Sequence, residues 1–600
     1  MAQQHDKAST FAAAQEMATT TKTKQQLSDD ESDAGEPEEN YRGWKSMPYV
    51  IGNETCEKLG TIGTTANLLV YLTTVYGMTG ASAATLLNLW SGTVSMAPLL
   101  GAFLSDSYLG RYTTISFASV ASFLGMIILT LTAAVPSLHP NDPTAGAPHP
   151  NNGPSSLQMA VLLASFALLA VGAGGIRPCN LAFGADQFDP RTSAGRRGIN
   201  SFFNWYYFTF TIAMMISATV IIYLQSDVNW ALGLAVPATL MGLSCVLFFM
   251  GTHLYVRVRP DGSPFTSFAQ VLVAAARNRR LPAPPSPADL YDPPHRSSLV
   301  SKIAYTHQFL CLDKAAVRTT TSSDDDDHHH HPWRLCTLQQ VEEVKCLARL
   351  LPVWSSGIVY YIVLTNLGNY NVLQAMQTDR HVVAGGSFQI PAGSFVVFNM
   401  LALTLWLPFY DGVLVPAMQR VTKREGGITQ LQRIGVGIVL SIVTMLVAAA
   451  VERHRRRVGD ATSCFLLVPQ QMLAGLSEAF AIIGQVEFYY KQFPENMRSV
   501  AGALLSLGFA IASYASGLMV SVVHRTTGGG RDGRPDWLAQ DLNQGRVDLY
   551  YLLIAAMAAV NLVYFVVCAR WYRFKKPAAA ADADADVELE LEGKAAAPPV

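Results

Sequence analysis

NETCEKLGTIGTTANLLVYLTTVYGM (residues 53–78) sets three charges, Glu54, Glu57 and Lys58, against the start of an apolar run long enough to help cross a membrane. They stand at i, i+3 and i+4, so on a helix they share one face and can neutralise one another. One reading is a helix start, with Asn53 as N-cap and the carboxylates in the first turn, where the helix dipole favours them. The other is a set of ionisable groups inside the membrane, facing a cavity, where burial is costly and is retained for a purpose.

Outward from this stretch the same apolar texture recurs. Half of the 600 residues are hydrophobic and 14% are charged, against about 25% charged in soluble proteins. Twelve apolar runs follow one another, the first expected at 59–77 and the seventh at 346–366. The pattern predicts an all-α polytopic membrane protein with twelve transmembrane helices in two six-helix halves. Its parts are a disordered acidic tail (1–46), a first half (47–256), a polar central loop (257–345), a second half (346–576) and a disordered C-terminal tail (577–600). Six plus six is the layout of the major facilitator fold, whose halves rock around a midplane site.

An even number of spans puts both termini on one side. Short loops with Arg111, with Arg191, Arg196 and Arg197, with Arg420, Lys423 and Arg424, and with Lys491 and Arg498 all fall on that side, which predicts cytosolic termini. ERHRRRVGD (452–460) and the loop with Arg525, Arg531 and Arg534 run against the bias.

Several classes are excluded. A net charge of −1 without a basic, aromatic-interleaved stripe argues against nucleic acid. There is no nucleophile elbow, metal-ligand spacing within a span or Gly-rich phosphate loop, so neither an enzyme nor a cofactor is expected. SSDDDDHHHHP (322–332) reads as a solvated low-complexity insert before it reads as a metal site. TLQQVEEVKCLARLLPVW (337–354) has helical apolar spacing, predicting an amphipathic helix that lies under the bundle and feeds the seventh span.

Two further charges stand inside apolar runs. Arg177 closes the fourth in LLAVGAGGIRPCN, and Glu478 lies mid-way along the tenth in VPQQMLAGLSEAFAIIGQVEF. A carboxyl there pairs with a cation or takes a proton, and both suit a proton-coupled carrier. Glu487, near the terminal side, reads as structural.

GAGGIRPCNLAFGADQFD (172–189) and FYYKQFPENMRS (488–499) closely resemble the two characteristic segments of the proton-coupled oligopeptide transporter family. SDSYLGRY (105–112) resembles the loop between the second and third spans of major facilitators. DKAA (313–316), LQRIGVG (431–437) and WLAQDLNQGR (537–546) narrow the resemblance to the plant nitrate/peptide branch, over Arg42 to Lys576.

The resemblance implies that Glu54, Glu57 and Lys58 couple protons, together with Glu478, and that an Arg177–Glu478 salt bridge ties the halves and gates the cavity. It implies a conformational loop with Asp106, Gly110 and Arg111, and makes Thr114 the counterpart of a phosphorylated position, although a hydroxyl there is more often a cap or packing group. Lys58, Arg177 and Leu364 are the implied substrate contacts; Leu364 stands where a nitrate-binding histidine occurs in one branch. LGTIGTTAN (59–67) replaces the aromatic cluster of peptide carriers, which weakens a peptide reading. The implied function is a proton-coupled plasma-membrane symporter, its partners protons, the lipid bilayer and an anion. Low-affinity nitrate is the first expectation, a glucoside or phytohormone anion the second, and a nitrate sensor the alternative of another class. Homodimerisation is left open.

Overall fold

The computed structural model describes residues 41–140, 154–189, 192–257, 264–281, 290–293, 303, 305–317, 333–382, 388–423, 428–459, 462–493, 498–528 and 536–572. Most of both tails and the Asp/His run at 322–332 lie outside these residues. Within them the chain is helical, with three isolated β-bridges.

Twelve spans alternate in direction. The first runs Met47–Thr65 and, after a bend, Leu68–Thr74; then come Gly80–Leu104, Arg111–Ala134, Ser156–Ala185, Ser193–Ile216 prolonged by π turns to Val228, and Trp230–Met250. The second half holds Leu338–Met376, Val396–Phe409 prolonged to Val415–Thr422, Gln430–Val458, Val468–Gln492, Arg498–Thr527 and Val547–Trp571. Ten of these helices are long and apolar enough to cross a membrane by themselves. The first falls short because it breaks at Ala66–Asn67 and carries the three charges.

Sequence explains several starts. Ser155 with Gln158, Thr337 with Gln340 and Thr429 with Gln432 form capping boxes that open the fourth, seventh and ninth spans, each satisfying two otherwise unpaired backbone N–H groups. The cap at Thr337 corrects one expectation. The amphipathic segment does not lie under the bundle; it is the first part of a single 39-residue helix, and Pro352 does not end it. The helix that packs beneath is Pro264–Arg277, which buries Val271, Ala274 and Ala275 against Leu338, Val341 and Val344.

That junction also buries charge. Lys345 sits 2.6 Å from Asp313 and 2.8 Å from Glu342, Arg349 sits 3.3 Å from Glu342, and the Lys345, Asp313 and Glu342 side chains have no exposure. The Tyr305 hydroxyl donates to Asp313, and burial followed by that bond pushes the phenol up to about 12, so it stays a donor at any working pH.

The GAGG of the fourth span is a packing device. A Cβ on Gly172 would lie 1.8 Å from Ser122 Oγ and one on Gly175 2.6 Å from Ala118 Cβ, so only glycine lets the third and fourth spans approach this closely.

The two halves meet on the side away from the termini. Thr73–Met376, Thr85–Ser521 and the 2.9 Å Asn369–Asn88 bond join them there, and Thr93–Tyr514 joins them nearer the middle. Tyr223 stacks on Phe388 across the same far end. Below these contacts lies the central cavity.

Candidate substrate and proton site

The helix that begins at Met47 carries Asn53 seven residues into its length, so Asn53 is no N-cap and the charges are not a helix start. Its side chain instead accepts from Ser244 at 2.7 Å, fixing the first span against the sixth. Glu54 and Glu57 are buried (4% and 3% exposed), and Lys58 lies between them, 3.2 Å from Glu54 and 2.9 Å from Glu57. Two carboxyls therefore share one ammonium. Asn180 donates to Glu54 at 2.5 Å, Thr61 donates to Glu57 at 2.8 Å, and the Tyr206 phenol stands beside Glu54.

Arg177 is exposed and shares a small void with Glu57, lined also by Thr61, Thr65, Trp90 and Ala173. Glu478 is half-buried in the opposite half, where Asn399 donates to it at 2.7 Å. Arg177 and Glu478 form no ion pair in this conformation; Asn399 occupies the carboxyl, and the halves are joined at the far end instead. Glu478 borders a cavity of about 400 Å³ between the halves, walled by Leu364, Leu367, Asn369, Asn371 and Gln471 from one half and Ile62, Thr65, Leu69 and Met214 from the other. Leu364 is thus in the wall of this cavity. Glu487 pairs with Arg433 at 3.1 Å, away from this cavity.

The loop Ser105–Leu109 ends at Gly110, whose φ of +74° suits glycine. Arg111 pairs there with Asp186 at the end of the fourth span, while Asp106 lies in the π turn itself. Thr114 is 7% exposed, and its hydroxyl donates to the Gly110 carbonyl at 2.9 Å.

Sequence reasoning overlooked Asn180, Asn399 and Asn371. The signal was present: Asn399 is a lone amide in an apolar run, Asn371 is one of four amides within nine residues of the seventh (Asn366, Asn369, Asn371 and Gln374), Asn180 follows Arg177 in the fourth, and intramembrane polar groups face partners or cavities.

A family model described as the POT family matches residues 112–533. The chain belongs to the POT family. Among its relatives in Arabidopsis thaliana, Protein NRT1/PTR FAMILY 2.11 is 50% identical over 554 residues, covering 89% of this chain and 89% of that protein. Protein NRT1/PTR FAMILY 2.9 is 48% identical over 555 residues, covering 90% and 94%. Of the solved structures, an auto-inhibited POT family peptide transporter superposes with a TM-score of 0.64 at 20% identity, covering 88% of this chain and 98% of that one. A peptide transporter of the family in complex with sulfate superposes at 0.59 and 13% identity, covering 89% and 96%. These likenesses carry the fold: a major facilitator of twelve helices, a membrane transporter and not an enzyme.

Proposed function

We propose that this transporter is a proton-coupled symporter that carries an anion into the cytosol across the plasma membrane, nitrate first, with both termini cytosolic. The observation that carries the reading is the charge balance around the inter-half space. Glu54, Glu57 and Glu478 supply three carboxyls against the two cations Lys58 and Arg177. One proton makes the empty site neutral, and a monovalent anion calls for a second. A neutral loaded site is the one that can close without stranding charge in a low-dielectric interior. Where the site gives up both protons before it returns empty, two protons enter with each anion and carry net positive charge.

In this cycle Arg177, always charged, is the fixed anion ligand, a planar fork suited to an oxyanion. Lys58, held by Glu54 and Glu57, is released toward substrate as either carboxyl takes a proton. The present conformation, joined at the far end, is the inward-facing one on this reading. The Arg177–Glu478 bond belongs to the opposite state, in which the halves would meet on the terminal side. Residues 47–256 and 346–576 act as the two rocking units.

A second reading keeps the mechanism and enlarges the cargo. The cavity of about 400 Å³ falls within the ~300–1,000 Å³ usual for small organic ligands, and its Leu, Met and Val lining supports an organic anion such as a glucoside or hormone.

The test is current recording in oocytes that express the full chain, in acid and neutral bath, with nitrate and with organic anions. An inward current needing both nitrate and acid is expected. Silence with nitrate but current with a larger anion would move the lead to the second reading, and silence with every anion, despite protein at the surface, would sink the anion reading altogether.

A further inference from the structure

A buried ion pair outside the coupling site sets the polarity of one wall of the cavity. Glu452 and Arg455, at i and i+3 near the far end of the ninth span, have no side-chain exposure. Arg455 donates from Nε and Nη2 to the two carboxylate oxygens, each at 2.9 Å, and from Nη1 to Asn543 Oδ1 at 2.9 Å. Gln374 Nε2 donates to Glu452 Oε2 at 2.6 Å. A carboxylate held by an arginine only accepts, so the Gln374 amide has one orientation. Its Oε1 then accepts from the Tyr551 hydroxyl and from Gln470 Nε2, each at 3.1 Å. Gln470 Nε2 donates its other hydrogen to Asn371 Oδ1 at 2.8 Å.

Each amide is turned by the one before it. Gln470 Oε1 is left buried without a hydrogen-bond partner, a cost that shows the orientation is imposed from Glu452 rather than chosen by Gln470. The chain ends at Asn371, which is buried and lines the central cavity. With Oδ1 turned to Gln470, the Nδ2 group is the end left for the cavity.

We infer that Asn371 is a substrate ligand, a hydrogen-bond donor for the anion on the second-half wall of the cavity, and that Glu452 and Arg455 are positioning residues that fix its donor face. This rests on the anion reading above. An anion held by Arg177 from the first half and by Asn371 from the second would be contacted by both halves as they close.

The experiment measures the concentration dependence of anion uptake, scaled to protein at the surface, for the full chain and for Asn371→Leu, Asn371→Asp, Glu452→Gln with Arg455→Gln, and Glu452→Asp. Asn371→Leu keeps the shape and removes the donor; KM is expected to rise roughly tenfold, with the maximal rate little changed. Asn371→Asp, acceptor only, should raise KM further. The paired neutral substitution leaves no stranded charge and should raise KM as Asn371→Leu does, while Glu452→Asp, which keeps the carboxylate, should restore it. Unchanged KM with reduced surface amount or maximal rate would mean a structural role and overturn the inference. Should the paired variant fail to reach the surface, Asn371→Leu decides alone, since it leaves the ion pair intact. If the unaltered protein moves no anion, the anion reading fails and takes this inference with it; if it does and the Asn371 variants keep its KM, only the inference fails.

Discussion

Two groups of buried charge, one in the first span and one at the base of the seventh, both set charges one helical turn apart and have opposite characters. Glu54, Glu57 and Lys58 put two carboxyls on one ammonium, with Arg177 nearby but unpaired with them. Glu342, Lys345 and Arg349, with Asp313 brought in from the central segment, match two carboxylates to two cations, and Thr306 donates to Glu342 as well. Balance marks a clasp that holds the central segment to the second half. Imbalance is what the proposed proton uptake at the first span calls for. Spacing along the helix does not separate the two; the count of partners does.

The largest expected effect breaks the clasp. Lys345→Met leaves Asp313 without a cation, held only by the Tyr305 hydroxyl, and Glu342 with Arg349 as its one remaining cation, and removing one partner from such a buried group costs about 3–5 kcal/mol. Thermal unfolding of the purified protein in detergent should show the loss. Replacing Asp313 and Lys345 together by apolar residues should recover most of it. Lys58→Met is the matched variant: it should abolish proton-driven uptake, yet the carboxyls it leaves can take protons from the cavity, so its unfolding temperature should fall less. Equal destabilisation by the two would end the distinction.

Next comes Glu478→Gln. The amide can still meet Asn399, so folding should be preserved, while the carboxyl proposed to exchange a proton and to meet Arg177 in the opposite state is gone. Uphill, acid-driven accumulation should disappear, and exchange of substrate down its own gradient should persist. Retention of acid-driven accumulation would confine coupling to the first span.

The fold was legible because hydrophobic period and length dominate a membrane helix, and the charged trio and Glu478 were legible because charge in such a run demands an account. What could not be read is what depends on partners distant in sequence. The arginines of ERHRRRVGD, awkward for the orientation rule, are partly neutralised within the protein: Arg455 is buried with Glu452, and Arg456 and the exposed Arg453 lie 3.3 and 3.8 Å from Asp548, while Arg457 is exposed. Loop charge bias concerns charge free to interact with the membrane surface, so residues neutralised inside the protein weigh little in it. The seventh helix was cut short for a similar reason. Glu342, Lys345 and Arg349 read as the polar face of a separate amphipathic helix until Asp313 arrives from some thirty residues upstream.

A smaller effect tests the far-end closure. Tyr223→Ala removes the stack on Phe388, where Asp227 also lies within electrostatic reach of Arg380, and an aromatic pair of this kind contributes about 0.5–1.5 kcal/mol. The balance between the two facing states should shift several-fold toward the one open at the far end, which labelling of a cysteine placed in the cavity wall from that side would register. No change in labelling would mean the stack lies outside the gate.

The smallest effect concerns Thr114, and it separates packing from signalling. Its hydroxyl already donates to the Gly110 carbonyl, and its backbone and methyl form the surface against which Gly175 packs, the carbonyl 3.0 Å and Cγ2 3.1 Å from where a Cβ on Gly175 would sit. Thr114→Val keeps the shape and loses one hydrogen bond, worth about 0.5–1.5 kcal/mol, so unfolding temperature should fall slightly and transport kinetics should stay as they are. A charged group on a hydroxyl this buried, beside the glycine contact, is expected to press the third span away from the fourth. Thr114→Glu should therefore lower stability far more than Thr114→Val. If it instead leaves stability intact and changes the affinity for substrate, the third and fourth spans separate in the working cycle, and the close glycine contact between them is a movable joint rather than a fixed seam.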